Sequence, residues 1–232
     1  MKYAEAITDK RYLAVNVNGN RKLQNTANVR WIIWNLPAVT TCPFATAHCR
    51  ESCYARKAER FYPQTLPARE RNYQATLEPD FSEKMIFTLE TEITSRKNSG
   101  KLTIVRIHES GDFYSTEYVE KWLKVCRHFA DNLNVVFLAY TKSIPYVIAC
   151  GYGTSQWPKN IVVRSSLWDD TKFEMRYDTA SYDIPVYTAL TGAEMLDERK
   201  KGHLFFECKC EDCAKCRACI NPAVKDIIVK IH

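Results

Sequence analysis

Apolar, β-branched and aromatic runs alternate along this chain with stretches whose apolar residues recur every three or four positions. WIIWNL (31–36), LTIVRIH (102–108), NVVFLAY (134–140), NIVVRSS (160–166) and IPVYTAL (184–190) predict strands, and HLFFE (203–207) and DIIVKI (226–231) are two shorter candidates. Helical segments lie between them. AHCRESCYARKAERF (47–61) follows the first strand, and in FSEKMIFTLETEITSRK (81–97) Phe81, Met85, Ile86, Leu89 and Ile93 form one stripe behind Asp80 and Glu83 at capping-box spacing. STEYVEKWLKVCRHF (115–129) puts Tyr118, Val119, Trp122, Leu123, Cys126 and Phe129 on one apolar face. IPYVIAC (144–150) is a short apolar stretch, and a polar connection separates the fourth strand from the fifth. Near-continuous apolar strands alternating with helices indicate a parallel sheet with right-handed crossovers. About six of them predict an α/β fold, a partial or irregular β/α (TIM-like) barrel with mostly parallel strands, rather than eight regular units. The 232 residues suffice for one core, so a single domain over 1–232 with a cysteine-rich segment at 203–222 is expected.

In such a fold the functional face is where strands end and helices begin. That rim carries Asn35 to Cys42, then Arg106, His108, Glu109, Ser110, Gly111 and Asp112, then Tyr140, Thr141 and Lys142, then Arg164, Ser165 and Ser166, and Thr188 and Thr191. Solvation of strand ends accounts for Thr141 and Ser165. It accounts less well for HESGD, where three ionisable groups adjoin a glycine that permits close backbone approach. His108, Glu109, Asp112 and Lys142 are therefore the candidate catalytic groups, and Gly111 and Arg164 the candidate ligand-binding ones. Lys142 and Arg164 are placed to hold a small anionic molecule, although ion pairs with Glu109 or Asp112 would also explain them.

Hydrophobic residues are 46% and charged residues 26% of the chain, ordinary for a globular protein. Lys and Arg exceed Asp and Glu by 33 to 27, but the excess is spread through mixed-sign segments and is weak support for nucleic acid. Arg56, Lys57, Arg60, Arg69 and Arg71, interleaved with Glu59 and Glu70, read as a solvated helix face. The five tryptophans and 13 tyrosines read mostly as core packing rather than base-stacking platforms. With no apolar leader and no run long enough to cross a bilayer, a cytoplasmic protein without a membrane partner is expected.

That compartment gives the ten cysteines meaning, because reducing conditions disfavour structural disulfides and leave metal binding or redox chemistry. Cys126 and Cys150 sit in apolar stretches and read as core residues. The other eight are grouped. Cys42-x6-Cys49-x3-Cys53 runs from the loop after the first strand into a helix, where Cys49 and Cys53, four apart, project from one face and Cys42 folds back to complete a three-thiolate site. A helix N-terminus favours thiolates, and soft sulfur ligands with no His at finger spacing select either a Cys-only zinc ion or an iron–sulfur cluster. Cys208, Cys210, Cys213, Cys216 and Cys219 are too dense for a metal-free explanation, yet their spacing suits a ferredoxin-like run and a zinc knuckle equally. Either one of them completes the first site, a reading slightly favoured by Cys208 at a strand end, or Cys210, Cys213, Cys216 and Cys219 form a separate one.

The stretches TCPFATAHCRESCYARKAERFYP, VRIHESGDFYSTEYVEKW and VVFLAYTKS, with the closing CAKCRACI, resemble the bacteriophage gene product 88 family over most of the chain. That resemblance implies a phage or prophage origin, hence the cytoplasm of an infected or lysogenic bacterium, and cysteines poised for a [4Fe-4S] cluster. In outline the arrangement is also similar to radical S-adenosylmethionine enzymes: a partial β/α barrel, three cysteines after the first strand, and an aromatic, here Tyr54, beside the last of them. This implies S-adenosylmethionine as a ligand of an open iron. The spacing departs from that superfamily's x3 and x2, and HESGD stands where a Gly-Gly-Glu segment would follow the second strand. Two functions compete: an iron–sulfur protein whose HESGD rim positions a small molecule, and a non-catalytic protein whose zinc or cluster fixes a surface for a protein or nucleic-acid partner.

Overall fold

The computed structural model describes residues 12–17, 22–209 and 211–230; the expected ligand Cys210 lies outside these residues. Seven strands, β1 (Val29–Trp34), β2 (Leu102–Ile107), β3 (Val135–Thr141), β4 (Ile161–Leu167), β5 (Val186–Leu190), β6 (Phe206–Glu207) and β7 (Asp226–Lys230), form one sheet in the order β1-β2-β3-β4-β5-β7-β6. Every pairing is parallel, and the sheet curls into a half-barrel, as the strand pattern predicts. HLFFE contributes only Phe206 and Glu207, an edge short enough to offer little to a foreign strand.

The helices are α1 (Ala47–Glu51), α2 (Tyr54–Phe61), α3 (Thr65–Leu77), α4 (Phe81–Thr94), α5 (Thr116–His128), α6 (Ile144–Ala149), α7 (Phe173–Ser181), α8 (Gly192–Lys200) and α9 (Cys213–Cys216), the last followed by a 3-10 turn at Ala218–Ile220. Four expectations change here. The helix predicted over 47–61 breaks at Ser52 and Cys53, since the Ser52 N–H closes α1 on the His48 carbonyl and Cys53 takes an extended conformation before α2. The apolar IPYVIAC is helical, with Pro145 in its first turn where a missing N–H costs nothing. The polar connection after β4 contains α7. Asp80 makes no capping bond to the helix backbone and pairs with Lys84 at 2.9 Å instead, whereas Thr191 and Glu194 form a complete capping box at α8.

Strand residues alternate between two faces, and each face has its own core. On the outer face Ile32, Trp34, Val105, Ile107, Phe137 and Val163 pack against α4 and α5. Trp34, Phe81, Tyr118 and Trp122 are fully buried there, each burial contributing about 2 kcal/mol or more. Cys126 belongs to this core, as its helical position predicts. On the inner face Trp31, Ile33, Ile104, Leu138 and Val162 pack against Ala214, with Cys213, Cys219 and Ile220 beside it. The half-barrel is thus filled from within by its own C-terminal segment. Among the described residues no helix is long and apolar enough to cross a membrane.

Candidate functional site

The loop that leaves β1 toward Cys42 is laced to the loop that leaves β2. Asn35 Oδ1 accepts the N–H groups of Glu109 (2.8 Å) and Ser110 (3.0 Å), and the Asn72 side chain donates to the Asn35 carbonyl (2.9 Å). Leu36 N–H donates to the Ser110 carbonyl (2.9 Å), the Ser110 hydroxyl returns a bond to the Leu36 carbonyl (2.8 Å), and Asp112 N–H donates to the Thr41 carbonyl (3.2 Å). Gly111 makes this approach possible. Its φ is +82°, and a Cβ there would stand 2.6 Å from Leu36 Cβ and from Thr41 Oγ1. The close contact expected of Gly111 is therefore with the chain's own cysteine loop, not with a ligand.

The same segment redistributes the candidate catalytic groups. His108 turns away from the rim into the outer core, with Nε2 2.9 Å from the Tyr118 hydroxyl and its ring edge-on to Phe113. Burial, and then the Arg106 charge, push its pKa down to about 3, so the ring is neutral near pH 7 and does not serve at the mouth. Asp112 is buried and accepts from Thr141 Oγ1 (2.5 Å), Phe113 N–H (2.7 Å) and Lys142 N–H (2.8 Å), which ties the end of β2 to the end of β3. Burial raises its pKa to about 6 against these bonds. Glu109 pairs with Arg106 at 3.3 Å, and its carbonyl accepts the Tyr54 hydroxyl at 2.5 Å. Lys142 is buried, donates to the Ser166 carbonyl and hydroxyl at 2.9 Å each, and lies over the Trp168 ring.

Cys42, Cys49 and Cys53 are half-buried free thiols around this rim. Thr46 caps α1 by accepting the Cys49 N–H, and Cys53 is the residue before α2, so the two sulfurs do not share one helical face as their spacing suggested. Burial pushes the Cys42 thiol up to about 12, with the Asp112 carboxylate and then the other two thiols adding to it. Burial also raises Cys49, and the Lys142 ammonium opposes that rise. His48 bonds through Nδ1 to Asp169 (2.8 Å), and its N–H donates to Asp170 (2.9 Å), pinning α1 to the loop after β4.

The second cysteine segment is organised differently. Arg164, fully buried on the inner face of β4, donates to the carbonyls of Cys219 (2.8 Å), Val224 (2.8 Å), Asn221 (2.9 Å) and Ala218 (3.0 Å). Four of its five N–H donors are committed to the chain, which corrects the expectation that it holds an anion. Cys208 follows β6 at one edge of the sheet, while Cys42 follows β1 at the other. The groups acting most strongly on Cys213 include Cys219, Cys208 and Cys216, and no C-terminal thiol is among those acting most strongly on Cys42 or Cys49. This geometry favours separate sites over a shared ligand.

Between the two segments the inner face carries Arg106 over the Tyr140 ring (5.0 Å), and Tyr140 edge-on to Tyr187 (4.8 Å). Tyr140, Asn35 and Thr41 were on the rim expected from the strand ends, whereas Tyr187 and Asn72 were not singled out from sequence. Arg69, expected on a solvated face, is buried and bridges Glu59 (2.7 Å) and the Ala55 carbonyl (3.1 Å). A cavity of about 440 Å³ opens on the helix-covered side, near Arg176, Thr188 and His203, and no thiol lines it.

Known proteins add a family. The chain is 33% identical over 105 residues to the Gene 88 protein of Mycobacterium phage D29, covering 44% of this chain and 42% of that one. It is 35% identical over 109 residues to the Gene 88 protein of Mycobacterium phage L5, covering 44% and 43% respectively. The matched region thus spans less than half the length of these curated relatives. No solved structure matches. Residues 11–222 match the family described as Gene product 88, to which this chain belongs.

Proposed function

We propose that this phage-family protein is an iron–sulfur protein in which Cys42, Cys49 and Cys53 hold a [4Fe-4S] cluster, leaving one iron open to a small anionic ligand. The observation that carries the reading is a set of three half-buried free thiols at the C-terminal end of β1, on loops fixed by hydrogen bonds to the end of β2. The donor set fits such a group. A tetrahedral zinc ion with Zn–S about 2.3 Å needs sulfurs about 3.8 Å apart. Among the described residues only His48, Asp169 and Asp170 bring three ligand atoms within 4.8 Å of one another, so no three thiols are gathered as tightly as one ion demands. Three thiolates with no imidazole at finger spacing among them are the soft, all-sulfur donor set that an iron–sulfur core uses.

When bound, the cluster supplies a Lewis-acidic iron and an electron. The chain's residues do the rest. Lys142, the cation that acts on Cys49, offsets thiolate charge, and the Arg106–Glu109 pair and the Tyr54 ring face the same mouth. By likeness to radical S-adenosylmethionine enzymes, that compound is the first ligand to try, and the reducing cytoplasm of an infected bacterium is the compartment this chemistry requires. The test is anaerobic reconstitution followed by iron and sulfide analysis and paramagnetic resonance with and without S-adenosylmethionine. Iron and sulfide that disappear in Cys49→Ser, with a resonance that shifts on adding the compound, are expected. A colourless zinc protein sinks the cluster, and an unresponsive resonance sinks the ligand.

A further inference from the structure

We propose that Cys208, Cys213, Cys216 and Cys219 hold a second iron–sulfur cluster, closed by four thiolates and independent of the first. All four are half-buried and free, and they come from three short elements folded onto one another. Cys208 leaves β6 with its N–H bonded to the Ile228 carbonyl of β7 (2.7 Å). Cys213 and Cys216 bound α9, three residues apart and so on neighbouring positions of one helical turn. Arg217 then reverses the chain in the left-handed region (φ 52°), which brings Cys219 back in the 3-10 turn.

The backbone here is held by the chain's own hydrogen bonds. Asp212 caps α9 through the Ala214 and Lys215 N–H groups, Cys213 N–H donates to the Lys22 carbonyl (3.0 Å), and Arg164 gathers four carbonyls of residues 218–224. Cys213 and Cys219 pack on the inner apolar core, a dry setting that favours a group holding its own charge within sulfur ligands. Burial raises the Cys213 thiol to about 11 and raises Cys219 as well, while the half-buried Arg106 opposes the rise at Cys213 and the buried Arg164 opposes it at Cys219. The four-residue and two-residue intervals from Cys208 through Cys216 match a spacing that ferredoxins use.

The experiment measures iron, acid-labile sulfide and zinc per chain in the anaerobically purified full chain, in C42A/C49A/C53A, and in C213A/C216A. Two clusters in the wild-type chain, with about half the iron and sulfide remaining in each variant, is the expected result. The outcome is readable even where one variant fails to fold, because a single cluster per wild-type chain that C213A/C216A retains in full overturns the proposal. One cluster retained in C42A/C49A/C53A but lost in C213A/C216A supports this site and removes the first, so the two failures are distinct. Zinc in place of iron and sulfide, retained in C42A/C49A/C53A and lost in C213A/C216A, overturns the assignment of a cluster here.

Discussion

The two cysteine segments carry the same side chain and are held by opposite means. Residues 42–53 lie on a rim where many small bonds, each between one loop and the next, share the work: Asn35 to Glu109 and Ser110, Ser110 to Leu36, Asp112 to Thr41. Cys213, Ala214, Cys219 and Ile220 pack on the inner face of the half-barrel, and one guanidinium reaches four carbonyls between residues 218 and 224. A distributed lattice tolerates the loss of a member, whereas a hub does not. The interior segment should therefore depend on one residue and the rim segment on the geometry of a backbone contact.

The largest effect is expected at the hub. Arg164→Met keeps the volume and leaves four carbonyls without their donor, that of Ala218 buried, and should cost about 4 kcal/mol, read as denaturant midpoint, with hydrogen exchange rising first in residues 211–224. Uniform loss of protection across the sheet would mean that Arg164 supports the whole barrel and that the contrast is false. Next comes Gly111→Ala, which forces a Cβ to within 2.6 Å of Leu36 and Thr41 in a backbone conformation L residues avoid. A cost of about 3 kcal/mol is expected, with faster alkylation of Cys42 and Cys49 and no change at Cys213 or Cys219.

His108 sharpens the same contrast through pH. Its folded pKa is depressed to about 3, so below pH 6.5 the unfolded chain takes up a proton that the folded chain refuses. Stability is lost as pH falls below that value, by about 2 kcal/mol at pH 5, and is unaffected above it. His108→Asn, which tolerates the positive φ of 72°, should flatten this part of the acid limb; an unchanged slope between pH 7 and pH 5 would show the ring to be solvated. Smallest is Thr46→Ala, which removes the cap on α1 and should cost about 1 kcal/mol while leaving the interior segment's exchange unaltered.

The Arg106, Tyr140 and Tyr187 contacts lie between these segments and follow from strand parity alone, since alternate residues of β2, β3 and β5 must face the same side. Parity is legible in sequence. What it faces is not, because the inner side of a half-barrel can be solvent, a ligand or the chain itself. The break at Ser52 and Cys53 was illegible for a related reason: fifteen residues of helical composition give no sign that Tyr54 must reach the Glu109 carbonyl across the rim.

Sequence by itself determined the parallel strands and their order of appearance, the outer core stripe of α4 and α5, the burial of Cys126, and the position of three thiols just after β1. These follow from periodicities of two and 3.6 residues and from the rule that parallel strands need crossovers, all of which are local or combinatorial. Only the tertiary structure decided that His108 belongs to the core, that Gly111 serves a loop-to-loop contact, and that Arg164 binds its own chain. The reason is that a buried polar group is defined by whichever partner satisfies it, and those partners stand 10 to 74 residues away along the sequence.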